Sequence, residues 1–315
     1  MQHDPSDPTW HGRDRFVLSN GHSSITLYTQ LFLSGYGLEL EDLKSFRTWN
    51  SKTPGHPEFG HTDGVEATTG PLGTGLATAV GMAMDARYVR NLLDPTASQG
   101  ESIFDHKIWV IAGDGCLQEG VAAEAASLGA HVGLDNLTIV YDSNDVTLDA
   151  MADASQSESV LDRFAAYGFN VIRLEEGHDL NAIADALSQA RANNNGKPTF
   201  IEVKTLIGKG IPEVAGTAAG HGEGGAKFAD SARQGLGLPE EKFFVSEEVR
   251  SYFSSLKEQR KVNRQAWDQT FSAWQSANPE KAALLNSGLT RELPANLIDS
   301  VQVFAEDAKV ATRAA

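Results

Sequence analysis

The sequence predicts an α/β fold built on a doubly wound parallel sheet, and two observations carry that expectation. Short apolar runs bounded by glycine or polar residues recur along the first two thirds of the chain, as at residues 107–113 and 137–142. Such runs suit strands buried on both faces. Helix-patterned stretches separate them, and that alternation belongs to parallel strands joined by crossover helices covering both sides of a sheet.

Taken in order, the residues up to about 14 are rich in Pro and Asp and predict no regular structure. Residues 14–19 predict a short strand and residues 23–33 a helix, with Ser24, Tyr28 and Phe32 on one side. Gly35-Tyr36-Gly37 ends that helix, and residues 40–46 predict another short one. Residues 53–75 are dense in Gly, Pro, Thr and His, too long for an idle connection, so they are a candidate ligand-binding segment. A helix is expected over residues 77–93, a strand over 107–113, an Ala-rich helix over 118–129 and a strand over 137–142. Residues 163–167 lead into a strand at 170–174. Residues 179–192 place Leu180, Ile183, Ala184, Leu187 and Ala190 at amphipathic spacing, and 199–205 predict a further strand.

Composition shifts after about Gly235. Ser246 is an N-cap residue followed by Glu247 and Glu248, which suit a helix N-terminus. Val249, Tyr252, Phe253 and Leu256 form one apolar stripe, and Trp267, Phe271 and Trp274 another; two packed helices are expected. The resulting organisation is an α/β domain over residues 1–240, a helical appendage over 241–290 and a linker over 291–315. No internal repeat is present.

The 315 residues are 41% hydrophobic and 22% charged, which is ordinary globular composition. A net charge of −16 argues against nucleic acid or an anionic membrane as partner. It also means that any phosphate must be held locally, by N–H groups, histidines and a metal. The single cysteine, Cys116, excludes an intrachain disulfide. No apolar run is long enough to span a membrane, and the N-terminus lacks signal-peptide regions, so a cytoplasmic location is expected.

Gly113-Asp114-Gly115 ends one predicted strand, and Asn144 follows the next, in Tyr141-Asp142-Ser143-Asn144-Asp145-Val146. Adjacent parallel strands would then present a carboxylate and an amide oxygen at their C-terminal ends, where open α/β sheets bind ligands. Hard oxygen donors that leave coordination positions open suit Mg²⁺ or Ca²⁺ shared with a diphosphate. The expected ligands are the Asp114 carboxylate, the Asn144 side-chain oxygen, the Val146 carbonyl, two diphosphate oxygens and a water. Gly115 lets the backbone approach a phosphate closely. Thr68–Gly75 is a glycine-rich approach to a helix that matches neither the lysine-bearing phosphate loop nor the dinucleotide fingerprint. His22, His56 and His221 each sit beside Gly or Pro in predicted loops, where imidazoles can converge on phosphate or sugar oxygens. Singly, each is more often a surface histidine. Glu119 and Glu124 open the helix after Gly115, and Ala122, Ala123, Ala125, Ala126 and Ala130 give it small faces that a second subunit could approach.

These segments together resemble the transketolase family. The matching stretches are residues 13–22, 51–58, 64–73, 113–116, 163–168, 204–208, 216–217 and 221–222. The resemblance implies transfer of a two-carbon ketol unit between sugar phosphates, with thiamine diphosphate and a divalent cation, in a homodimer. By position, Asp114, Asn144 and the Val146 carbonyl resemble the family's metal ligands. Gly115, His22 and His221 resemble its diphosphate contacts. Gly70-Pro71-Leu72 is similar to the wall at the aminopyrimidine, and Ile207 to an apolar contact of the thiazolium. His56 and His221 resemble the histidines that touch donor-sugar hydroxyls and assist proton transfer. Glu119 and Glu124 resemble the acids linking paired active sites across the dimer.

The departures are specific. Residues 1–315 do not include the family's N-terminal helix with its Ser-Gly-His-Pro-Gly motif. Nor do they include the pyrimidine-binding domain that the resemblance implies, with its ring-activating glutamate and basic substrate-phosphate residues. Ala218 replaces a family histidine, and residues 222–225 differ from the usual pattern. The 315 residues alone are therefore expected to lack turnover. Alternative readings are a dihydroxyacetone synthase, the thiamine-binding subunit of a split enzyme, or a non-catalytic fragment that dimerises with or regulates a complete enzyme.

Overall fold

In the computed structural model, described for residues 1–98, 100–222, 227–291, 293, 295–301, 303–311 and 313, five strands form one parallel sheet. They are β1 (Arg15–Leu18), β2 (Ile108–Gly113), β3 (Leu137–Ser143), β4 (Asn170–Leu174) and β5 (Thr199–Lys204). Their spatial order is β1-β2-β3-β5-β4, so the last strand in sequence lies between β3 and β4. β2 and β3 are direct neighbours, with Gly113 level with Asp142. This is the adjacency that the Asp114–Asn144 expectation requires.

The alternation of side chains along each strand divides the core between two faces. Ile108, Val110 and Ala112 of β2, with Leu137, Ile139 and Tyr141 of β3, pack under α3 (Thr74–Leu93), α5 (Gly120–His131) and α6 (Val160–Tyr167). On the other face, Trp109, Ile201 and Val203 meet Ala186 and Ala190 of α7 (Leu180–Ala192). Leu18 meets Leu27, Tyr28 and Leu31 of α1 (Ser24–Ser34) there too. The short helix α2 (Leu40–Lys44) is closed by a capping box between Glu39 and Asp42. Helices thus cover both faces, as expected.

Two local expectations change. A helix begins at once after β2, as α4 (Asp114–Gln118), and breaks at Glu119 before α5 starts. Glu119 is extended, with ψ 134°. Both aromatic stripes of the C-terminal region lie on one helix, Glu247–Ala277, 31 residues long, instead of on two packed helices. Its Ser246 cap is as expected, the hydroxyl accepting from the Val249 N–H at 3.3 Å.

The chain divides into two compact units, Met1–Trp267 and Asp268–Ala315. Within the first, the Trp267 indole donates to the Ile103 carbonyl at 2.9 Å and meets Trp10 edge-on. The second contains the helix Pro279–Thr290, started by its proline, and the Phe271 and Trp274 rings stacked 5.9 Å apart. Of the predicted linker, the described residues include a short 3-10 helix, Ile298–Ser300. Glu223, Gly224 and Gly225, expected to depart from the family pattern, lie outside the described residues, as do Thr312, Ala314 and Ala315 of the C-terminus. No described helix is long and apolar enough to cross a membrane.

Candidate functional site

Asp114 stands at the C-terminal end of β2 and is 3% exposed. Its Oδ1 accepts from the Tyr141 hydroxyl at 2.7 Å, and its Oδ2 from the Asn144 backbone N–H at 3.1 Å. Tyr141 and Asn144 both come from β3 and its exit, so strand adjacency brings these groups to the carboxylate. Burial raises the Asp114 carboxyl above its ordinary range, against the two hydrogen bonds; Asp145 and Asp142 nearby push it the same way. Among the described residues Asp114 has no cationic side chain in an ion pair. A buried acid facing two further acids and itself in no ion pair among the described residues is a costly arrangement that a bound cation relieves.

Asn144 is fixed through its side chain as well as its backbone. Its Oδ1 accepts from the Val146 N–H at 3.1 Å, and its Nδ2 donates to Asp142 Oδ2 at 3.3 Å. The amide oxygen keeps a second lone pair. Val146 itself is buried. No three His, Cys, Asp or Glu side chains converge as a metal cage among the described residues. A cation held here therefore has one carboxylate plus neutral oxygens from the chain, and takes its remaining ligands from an anion or water. That donor set fits a hard divalent ion shared with a diphosphate.

The glycine segments close around this centre. Gly73 caps α3 with φ 77°, in the left-handed region that favours glycine. A Cβ on Gly21 would stand 2.7 Å from Thr69 Oγ1, and one on Gly115 would stand 2.9 Å from Leu72 Cδ1. The predicted loop around Gly70, Pro71 and Leu72 thus abuts both the β1 exit and the start of α4. Between them, Asn20 Oδ1 and Thr69 Oγ1 are buried without hydrogen-bond partners. Unsatisfied polar atoms in such a place fit a polar ligand.

The three predicted histidines converge as well. The His22 and His221 rings lie 4.9 Å apart, and a Cβ on Gly70 would be 3.6 Å from the His56 ring. Burial lowers the His22 pKa, followed by the influence of His221, His56 and Arg47, with Asp142 opposing them. His22 is therefore weighted toward its neutral form near neutral pH. Ile207 reaches the same loop: a Cβ on Gly220, beside His221, would be 3.3 Å from Ile207 Cγ2.

The family model described as "Transketolase, thiamine diphosphate binding domain" matches residues 1–294. This chain belongs to the transketolase family. It is 52% identical to the transketolase of Physarum polycephalum over 315 residues, all of this chain but 47% of that protein. It is 50% identical to the transketolase of Dictyostelium discoideum over 99% of this chain and 47% of the relative. Among solved structures, transketolase from Leishmania mexicana matches with a TM-score of 0.90 at 37% identity, over 97% of this chain and 45% of that one. The transketolase from Pichia stipitis solved in complex with sedoheptulose 7-phosphate matches with a TM-score of 0.90 at 38% identity, over 99% of this chain and 46% of that one. The chain thus spans about half the length of the transketolases it matches.

Two of the expected features are not enclosed by this chain, although the Glu119 Cβ lies against Gly73. Glu119 and Glu124 are exposed in the single chain. Of the small residues on α5, Ala122 and Ala126 are buried in the chain's own core with α3, so that face is not open to a second subunit. Val121 and Leu128 remain exposed on α5. Sequence reasoning missed Tyr141, Asp142, Asn20 and Thr69. Tyr141 carried a signal, because period-two alternation from Leu137 and Ile139 puts it on the α3–α5 face. Asn20 and Thr69 carried none beyond their glycine neighbours.

Proposed function

We propose that this chain is the diphosphate- and cation-binding half of a transketolase acting on sugar phosphates, with residues 1–240 as its cofactor domain. The observation that carries the proposal is the buried, unneutralised Asp114 carboxylate beside Asn144, at neighbouring strand ends ringed by glycine backbone. Asp114, the Asn144 side-chain oxygen and the Val146 carbonyl are the chain's ligands for Mg²⁺ or Ca²⁺. The Gly115 N–H, His22 and His221 are its contacts for the diphosphate. Gly70, Pro71 and Leu72 on one side and Ile207 on the other would flank the two rings of the cofactor. When bound, thiamine diphosphate would supply a nucleophilic thiazolium carbon for ketol chemistry.

The residues of this chain bind, orient and move protons. His56 and His221 donate to hydroxyls of the donor sugar and pass protons at its oxygens. His22, weighted to its neutral form, offers a ring N–H to phosphate without adding much positive charge beside the cation. The cation offsets diphosphate charge in a chain of net charge −16, whose overall field repels anions. Glu119 and Glu124 become buried only in a dimer, where they would link the paired sites. The 315 residues by themselves are proposed to bind the cofactor without ketol transfer; transfer by the purified chain would count against that.

Calorimetric titration with thiamine diphosphate in the presence and absence of Mg²⁺ tests the site. Wild type is expected to show Mg²⁺-dependent binding, and Asp114→Ala to lose it. Equal affinity in the two proteins would reject the assignment.

A further inference from the structure

The loop that carries Asn144 is braced on both sides from a single neighbouring strand. β5 runs beside β3, and Lys204 is level with Ser143. Lys204 Nζ donates to Ser143 Oγ at 2.8 Å and to Asp145 Oδ1 at 3.1 Å, the residues immediately before and after Asn144. The next residue, Thr205, donates its N–H to the Ser143 carbonyl at 3.1 Å and its hydroxyl to Asp142 Oδ1. The other Asp142 oxygen accepts from the Asn144 amide. Asp142, Ser143 and Asp145 are therefore each tied to the end of β5.

Asp145 gives the brace its purpose. It has φ 62°, a left-handed conformation uncommon for any residue but glycine. Such a conformation persists where surrounding contacts over-determine it. Here the contacts are the Lys204 ion pair on its side chain and the Ala152 N–H, which donates to its carbonyl at 2.9 Å. This reversal lies between the Asn144 side chain and Val146, and so sets the spacing of the two neutral oxygens assigned to the cation.

We propose that Lys204, assisted by Thr205, is a positioning residue for the cation site: it sets the loop geometry from behind and contacts neither cation nor cofactor. The inference rests on the proposed function and assigns it a residue outside the ligand set. Mg²⁺ tolerates little departure from octahedral geometry, so ligands carried on a backbone turn need that turn fixed. Partners that orient metal ligands from behind are worth roughly 10- to 100-fold in metal affinity. A competing effect has the opposite sign, because a lysine ammonium near a cation repels it. Glu202, 3.8 Å from Nζ, and Asp145 offset that charge. Positioning therefore wins, and removing the lysine weakens cation binding.

Mn²⁺ binding to the 315-residue protein, followed by electron paramagnetic resonance at saturating thiamine diphosphate, tests the sign. Lys204→Met should weaken Mn²⁺ binding by roughly 10- to 100-fold, and Lys204→Arg should recover most of the loss. Ser143→Ala removes one of the two Lys204 hydrogen bonds and keeps the charge, so it should give a smaller loss. It also carries the test if Lys204→Met does not fold. A purely structural role would lower the melting temperature of the cofactor-free protein and leave the affinity of the folded fraction unchanged. Mn²⁺ bound to Lys204→Met as tightly as to wild type, or more tightly, overturns the inference and leaves the proposed function standing. No Mn²⁺ site in wild type at saturating cofactor overturns both.

Discussion

At the scale of single residues, the centre depends on atoms that are missing as much as on those present. Gly75, in the first turn of α3, lies so near β1 that an added Cβ would stand 2.6 Å from Ser19 Cα. The Leu76 N–H meets the Ser19 hydroxyl at 3.1 Å across the same junction. Backbone cannot rotate aside as a side-chain tip can, so Gly75→Ala should cost about 1–3 kcal/mol through overpacking. Urea unfolding measures it, and a change within experimental error would mean that the junction gives. Gly115→Ala meets only the flexible end of Leu72, so its effect should fall mainly on cofactor affinity. Asp114 and Asn144 were legible because strand, glycine and side-chain type coincide in one stretch of sequence. Lys204 and Thr205 were not legible as partners of that stretch. Their role exists only because β5 lies beside β3, while β4 separates the two in sequence.

At the scale of elements, strands and crossover helices were legible from apolar runs and glycine boundaries, with shifts of a few residues at the ends. The long helix Glu247–Ala277 was legible as two pieces. Its apolar stripes are separated by Lys257-Glu258-Gln259-Arg260-Lys261-Val262-Asn263-Arg264-Gln265, which reads as a polar gap. Most of those residues are good helix formers, and neither Gly nor Pro interrupts them, so the helix continues unbroken. Continuity has a measurable consequence. Val262 is 64% exposed in mid-helix, and Val262→Pro should cost ~3 kcal/mol by removing a backbone hydrogen bond and clashing with the preceding turn. Val262→Ala should be nearly neutral. Equal stability of the two variants, compared by thermal unfolding, would favour a break in the helix.

At the scale of the whole molecule, the sheet end opposite the candidate site contributes to the response to acid. His11 and His106 make ring contacts with each other, and His11 also with Phe104, beneath the strand N-termini. Burial, with Arg15 next in importance, lowers their pKa values to about 4 and about 3. In the unfolded chain both titrate near 6.5. Below that pH the unfolded chain takes up protons that the folded form resists. Their contribution is therefore intact above pH 6.5 and lost progressively as pH falls toward 4 and then 3. Urea midpoints should drop across that window, and His106→Gln should flatten the slope; an unchanged slope would place the acid sensitivity elsewhere. The sheet order has its own consequence for how this protein comes into being. β5 must enter between β3 and β4, so a growing polypeptide already holds Asp114 and Asn144 long before Lys204 leaves the ribosome. During that interval the nascent chain would hold the candidate ligands without their geometry. In refolding, affinity for Mn²⁺ should accordingly emerge with the late closure of the sheet, and not with the early burst of helix formation.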